Sequence, residues 1–348
     1  MAEARPFHFR PLAAARWATW GGYALVLAVA PLVFRGSLAQ SLLTQMGIAI
    51  IACLSYNILL GQGGMLSFGH AVYSGIGGFA AIHVLARIGA GGSHLPVSLV
   101  PLVGGAAGLA SAAALGWAAT RKSGTTFAMI TLGIGELAWA MAPMLPEFFG
   151  GEGGVTADRT AGPAVLGVTF GLQRQVCWLV AGYCFACTAL MFAFTRTPLG
   201  RLLNAVRDNP ERVAFIGVDP QHVRWLAFTI AGGFAGIAGG LAALNFELAT
   251  AEVLGAPRSG AYLLFTFIGG SSAFFGPILG GVLMVLATVV LSGLTQAWLL
   301  YLGLTFLVMV MAAPGGLASL VLANLRLAAH GRLRPLLPGY AALSAASA

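Results

Sequence analysis

The sequence predicts an all-α, polytopic transmembrane helical bundle of eight to ten spans, with ten favoured. Three observations predict it. Only 8% of the 348 residues are charged and 58% are hydrophobic, against roughly 25% charged in a soluble domain. Apolar runs recur that reach or approach the ~20 residues needed to cross hydrocarbon. Those runs lack the alternating faces of a soluble core. In a bilayer each segment must satisfy its own backbone N–H and C=O groups, so they are helices.

In chain order the runs lie at about 18–34, 40–60, 66–87, 95–119, 124–146, 174–195 and 225–246, and a long apolar region, 259–313, holds two or three more. Arg5, Arg10 and Arg16 before the first run, with a weak cleavage pattern at Ser37-Leu38-Ala39-Gln40, imitate a signal peptide. The spans that follow favour an uncleaved first helix. Short-loop Lys and Arg set orientation. The N-terminal arm, Arg121-Lys122, the stretch 196–224 and the tail (Arg326, Arg332, Arg334) form the basic set and are placed in the cytoplasm. Arg35, Arg87, Arg159, Arg174 and Arg258 are then exceptions on the outside. Both termini inside requires an even number of spans. Residues 1–320 read as one membrane domain and 321–348 as a cytoplasmic tail.

The net charge of +8 is scattered at the ends of apolar runs, so topology explains it better than nucleic-acid binding. Cys53, Cys177, Cys184 and Cys187 all lie in apolar segments. Cys184 and Cys187 form a CxxC, but with no second pair or nearby His, so small packing residues are expected and no metal site. The loop 147–173 is the one long outside connection. Its Gly and Pro content argues against a span, and Glu147, Glu152 and Asp158 keep it in water.

Two Gly-rich stretches interrupt the helical pattern at membrane depth. In 61–78, Gly63-Gly64 is followed by Ser67 and Phe68-Gly69; in 267–281, Gly269-Gly270 is followed by Ser271-Ser272 and Phe275-Gly276. They look like counterparts in two halves of the chain. Interrupted segments at corresponding positions point to a transport pathway between repeats, and close packing of small residues is the alternative.

Residues 196–224 hold five of the eighteen Lys and Arg residues and three of the ten acids. Charged residues cost ~2.5–3.5 kcal/mol each at the bilayer centre on insertion scales, so this stretch lies in water. Thr197-Pro198, Asn209-Pro210 and Asp219-Pro220 each place a capping residue before a Pro suited to the first helical position. The expected result is an elbow of two short helices, 198–208 and 210–216, and a span starting at 220. Leu199, Leu202, Leu203 and Val206 form one stripe of the first helix; Glu211 opens the second and Gly217 ends it. Such an elbow either docks a partner or rests on lipid headgroups.

Here the residues carry a resemblance. Glu211–Gly217 has the Glu-to-Gly spacing of the EAAxxxG motif in membrane subunits of ABC importers, with Arg212 and Val213 replacing the two Ala. The wider segment from Gly200 to Leu244 resembles the branched-chain amino-acid ABC transporter permeases. So do the blocks GQGGMLSFGHAVYSGIGGF, GTTFAMITLGIGEL, FFGGEGGV, GGSSAFFGPILGG and APGGLASL, which run in order from about 47 to 320. Met65, Phe68 and the segment Ser271–Phe274 depart from the family's usual residues, and the same subfamily includes importers of urea, amides and small organic acids.

The resemblance implies a multi-pass subunit of the bacterial cytoplasmic (inner) membrane. A second homologous permease, two cytoplasmic ATPase subunits and an extracytoplasmic substrate-binding protein would complete the assembly. ATP and Mg would be bound by the ATPases, with no cofactor in this chain. ATPase coupling would then fall to Leu199, Gly200, Arg201, Leu202, Leu203, Val206, Arg207, Glu211, Ala214 and Gly217. The chain is not expected to be an enzyme. Its nearest approach to a phosphate loop, Gly116–Ser123, has Arg121 in place of the second Gly and follows a span rather than a strand.

Glu136, within the 124–146 span, is a functional candidate because an intramembrane carboxylate is costly. It faces the pathway, hydrogen-bonds a neighbouring helix or is protonated. His70 either lines the cavity or serves a backbone carbonyl freed by the break, and His83 is read as packing. Asn57 and Gln62 flank the break and are read chiefly as satisfiers of backbone groups. The pathway set is thus Gln62, Gly63, Gly64, Ser67, Gly69, His70, Glu136, Gly269, Gly270, Ser271, Ser272 and Gly276. Glu152 and Asp158 are candidates for docking the binding protein. An ATP-independent secondary transporter or channel is the rival reading; it needs no elbow.

Overall fold

A computed structural model describes residues 13–92, 95–160, 169–312 and 315–319. The arm before residue 13 and the tail from 320 lie outside the described residues, as do 161–168 of the long loop. The chain is helical almost throughout, as its apolar runs require. The helices are α1 (Ala13–Val33), α2 (Ser37–Asn57), α3 (His70–Gly89), α4 (Val100–Ala119), α5 (Gly124–Met141), α6 (Pro146–Phe149), α7 (Gln173–Arg196), α8 (Pro198–Asp208), α9 (Pro210–Phe215), α10 (Pro220–Phe246), α11 (Ala256–Gly269), α12 (Gly276–Leu294) and α13 (Trp298–Ala312). Among the described residues six helical segments are long and apolar enough to cross a membrane: Ser37–Gln62, His70–Gly89, Val97–Ala119, Gln173–Arg196, Pro220–Phe246 and Gly276–Leu294. Trp17–Val33 and Leu300–Met309 are shorter apolar helices.

The region 259–313 resolves into three helices, not two, because Gly270–Phe275 and Thr295–Ala297 interrupt it. The span expected at 124–146 stops at Met141. A turn follows there, and Pro146 starts the separate short helix α6. The 66–87 span begins later, at His70, because 63–69 is not helical.

Glycine sets the centre of the bundle. Gly77 on α3, Gly104 and Gly108 on α4, and Gly232, Gly236 and Gly240 on α10 bring three backbones into direct contact. A Cβ added at Gly77 would meet the Gly236 Cα at 2.5 Å and the Gly104 carbonyl at 2.8 Å. Small residues four apart allow this approach, and in lipid such packing replaces the hydrophobic effect as the cohesive force. Around this centre sit fully buried Tyr56, Tyr73, Phe79, Phe127 and Phe228.

Candidate functional site

The 196–224 elbow forms as its sequence dictates. Thr197 Oγ1 accepts from the Gly200 N–H at 3.2 Å, Asn209 Oδ1 from Arg212 N–H at 3.0 Å, and Asp219 Oδ1 from Gln221 N–H at 2.8 Å. Each cap therefore fills an orphan donor in a first turn opened by Pro. The Asp219 carboxyl is held below the usual carboxylate range, first by His222 Nδ1 at 2.6 Å and then by the Gln221 N–H. After α9, Gly217 adopts φ 83°. Its N–H reaches the Ala214 carbonyl at 3.0 Å and that of Val218 the Val213 carbonyl at 3.3 Å, a complete Schellman close.

The apolar stripe does not await lipid. Leu203 and Val206 are buried, and Leu199 and Leu202 pack against the chain's own core. Gly200 is buried where a Cβ would strike the Phe194 carbonyl. The outer surface is instead Arg201, Arg207, Glu211, Ala214, Gly217 and, at the tip, Phe215 and Ile216, which are 88% and 71% exposed. Sequence reasoning passed over those last two. Their signal was two consecutive large apolar residues just before the closing glycine of a water-exposed helix.

The elbow is bonded to the first Gly-rich break. Between Ile58 and Gln62 the end of α2 widens into a π-helix. Arg207 Nη1 donates to the Gly61 carbonyl at 2.6 Å, and Asn204 Nδ2 to Gln62 Oε1 at 2.9 Å. Gln62 thus serves an elbow side chain, where a backbone group was expected. Gly63 and Gly64 pack against Leu203 and Arg207; Gly64, at φ 62°, has no room for a Cβ beside the Arg207 Cγ. The second break arrives at the same place. The Ser271 carbonyl lies against Gly61, while Ser272 is exposed. Gly269 and Gly276 close around the turn at Gly270, whose φ is 106°.

From Gly64 the chain runs back into the bundle. The buried Tyr56 hydroxyl donates to the Ser67 carbonyl at 2.8 Å, and the Phe68 N–H to Thr131 Oγ1 at 3.1 Å. Gly69 lies against the Thr131 carbonyl. His70 is fully buried, with Nε2 2.9 Å from Ser55 Oγ, so its partner is a hydroxyl rather than a freed carbonyl. Asn57 Oδ1, Ser67 Oγ and His70 Nδ1 are buried with no partner among the described residues. His83 donates to the Phe148 carbonyl at 2.7 Å and packs on that ring.

Glu136 stands apart from this cluster. It is exposed on α5 and lines a cleft of about 750 Å³ with Trp139, Arg258, Phe265, Met284 and Leu302. The sequence reading took Arg258 for a topological exception. Its signal was a lone Arg immediately before a long apolar run.

The sequence matches a known family. The sequence profile described as "Branched-chain amino acid transport system / permease component" covers residues 38–313. The chain belongs to this family. It is 28% identical, over an alignment of 332 residues, to the high-affinity branched-chain amino acid transport system permease protein LivM of Escherichia coli (strain K12) and to that of Salmonella typhimurium (strain LT2). Each alignment covers 87% of this chain and 75% of the relative. No solved structure matches.

At the end of the permease opposite the elbow, the long loop is strapped down. Val155–Thr156 (β1) pairs antiparallel with Leu248–Ala249 (β2), Val155 opposite Ala249. Arg159 donates to the Asn245 carbonyl and to Gln173 Oε1, both at 3.2 Å, and its Nε lies 3.5 Å from Glu247 Oε1. Gln173 in turn donates to Asn245 Oδ1 at 2.8 Å. Asp158 is exposed and held below the usual carboxylate range by the Thr160 hydroxyl, then the Thr160 N–H. The Glu152 side chain lies outside the described residues. Arg159→Met should cost about 2 kcal/mol, the worth of hydrogen bonds from a charged donor. A lowered Tm with faster amide exchange at 155–156 would report it; unchanged exchange would mean that the strap holds without Arg159.

Proposed function

We propose that this chain is the membrane-spanning permease subunit of an ATP-driven importer. It would carry branched-chain or other small amino acids across a bacterial cytoplasmic membrane by alternating access. Ten apolar helices (α1 to α5, α7 and α10 to α13) would cross the bilayer with both termini in the cytoplasm. That places the elbow inside and the strapped loop outside. The partners would be a second related permease, two ATPases at the elbow, and a binding protein at the strapped loop near Asp158 and Glu152. The LivM relatives, whose names give branched-chain amino acid transport, support the substrate class.

One observation carries the reading. The elbow presents Phe215 and Ile216 outward on two capped helices that are bonded to the end of α2. An exposed aromatic and aliphatic pair of this kind fits a pocket on a partner better than it fits water. A load applied there reaches both helix breaks through Arg207.

Co-expression with the ATPase subunits of a branched-chain amino acid importer tests this. Wild type should retain them through purification. Phe215→Asp with Ile216→Asp should lower recovery by about tenfold or more, since buried aromatic anchors are worth ~2 kcal/mol or more, while the chain stays monodisperse. Uptake that proceeds at the wild-type rate with no ATPase present would place the protein among secondary transporters or channels.

A further inference from the structure

Glu136 and Arg258 lie at the same depth. Trp139 of α5 meets the turn before α11: a Cβ on Gly255 would lie 3.8 Å from the Trp139 Cδ1. Helix neighbours stand three or four residues apart. Glu136 is therefore one turn from that contact along α5, towards the elbow end. Arg258, three residues beyond Gly255, is one turn from it along α11 in the same direction. The two helices run antiparallel, and both residues line the same cleft.

That depth is inside the bundle. Ser259, beside Arg258, accepts the Ala71 N–H at 2.9 Å in the first turn of α3. The fully buried His70 is the residue before Ala71. Thr131, level with Gly69, is five residues before Glu136, or ~7 Å at the helical rise.

Yet the two opposite charges do not pair. Among the described residues Glu136 makes no ion pair or hydrogen bond, and no carboxylate lies within 4 Å of the Arg258 guanidinium. Among the described residues the Arg258 side chain is tethered only by Nε, to the Tyr262 hydroxyl at 3.2 Å, with its charge 5.4 Å from that ring centre. Nε is thereby used, and the two terminal nitrogens, which form the fork that grips a carboxylate in two parallel bonds, have no partner among the described residues. Unpaired ionisable groups at membrane depth mark ligand paths. Beyond the charges, towards the elbow end, Ala261, Phe265, Met284 and Leu302 make an apolar wall.

We propose that this cleft is a binding site for a zwitterion with an aliphatic side chain. Glu136 takes its ammonium group, Arg258 its carboxylate, and the wall of Phe265, Met284 and Leu302 its hydrocarbon. The proposal deepens the transport reading and rests on it for the existence of a pathway. It adds that the permease itself selects for both charges at once. A simple organic acid would leave the Glu136 carboxylate unanswered, and a neutral amide would leave both charges so.

Saturation-transfer NMR on the assembled complex in nanodiscs, without binding protein, tests it with three probes. L-leucine carries both charges, 4-methylpentanoate lacks the ammonium and leucinamide lacks the carboxylate. Leucine methyls should receive at least about fivefold more saturation than either analogue, because a charged group left unpaired loses a charge-assisted bond. Glu136→Gln and Arg258→Met should each bring leucine down to the level of the analogues. The exchanged pair Glu136→Arg with Arg258→Glu should restore it, which loss of fold would not do. Arg258→Lys keeps the charge and should keep most of the signal, so it decides the matter if Arg258→Met fails to fold.

Equal signals from all three probes overturn the proposal, as do leucine signals unmoved by Glu136→Gln and Arg258→Met. Separation of the two permeases by these substitutions would overturn it too, assigning the charges to subunit contact. Failure of the importer reading looks different: no ATPase would co-purify, whatever leucine does at the cleft.

Discussion

A Gly239→Ala permease is expected to lose most of its folded yield. On α10, a Cβ at Gly239 would fall onto the Ser74 carbonyl of α3 and lie 3.1 Å from the Gly78 nitrogen. Neither obstacle is the end of a flexible side chain; both are backbone held by α3. The helices must therefore part along the face where Gly77, Gly104, Gly108 and Gly236 bring backbones together. Overpacking of a fitted core costs about 1–3 kcal/mol, and the upper end is expected where backbone is the obstacle. The sign is informative, since Ala is the better helix former by about 1 kcal/mol. Gly133 on α5 has nothing within 4 Å of a Cβ, so Gly133→Ala should be neutral or stabilising. Fluorescence-detected size exclusion and thermal denaturation of both variants decide it. Equal behaviour would show that the α3–α10 contact is looser than described.

Arg207→Met is expected to separate ATP hydrolysis from transport. The guanidinium donates to the Gly61 carbonyl at 2.6 Å, and its aliphatic stem covers Gly64. It joins the elbow to the π-helical end of α2, where the Ser271 carbonyl of the second break also arrives. Losing a charge-assisted bond of this kind is worth about 1.5–3 kcal/mol before allowance for its part exposure. Spent on coupling, that becomes about tenfold or more in transport per ATP consumed. The Asn204–Gln62 bond is a weaker second link, so Asn204→Leu should give a smaller loss in the same direction. The measurement is uptake and ATP hydrolysis in the same proteoliposomes. A variant that lowers both in proportion would make Arg207 a structural residue only.

Much of this was legible because its causes are local. Thr197, Asn209 and Asp219 each precede a Pro, and a capping side chain acts within three residues. The elbow helices therefore start where the sequence reading placed them, and Gly217 closes the second. The breaks at 63–69 and 270–275 were legible for the same reason, since clustered glycines weaken a helix wherever they occur. The direction of each face was not. Leu203 and Val206 have the periodicity of a stripe meant for something apolar, but periodicity does not say what. Here it is the chain's own bundle, which leaves Phe215 and Ile216 as the outward pair. Gln62 reads as a helix-end satisfier until Asn204 is brought beside it from 142 residues away.

By itself, then, the sequence determined the class of solvent, the helical nature of the chain, the capped elbow, the breaks and the family. Each follows from composition or from neighbours within a turn or two. Only the tertiary structure decided that the two breaks and Arg207 converge on Gly61, and that Arg258 shares a cleft with Glu136. Those contacts depend on how separate helices slide past one another, and nothing written beside the residues that meet states that register.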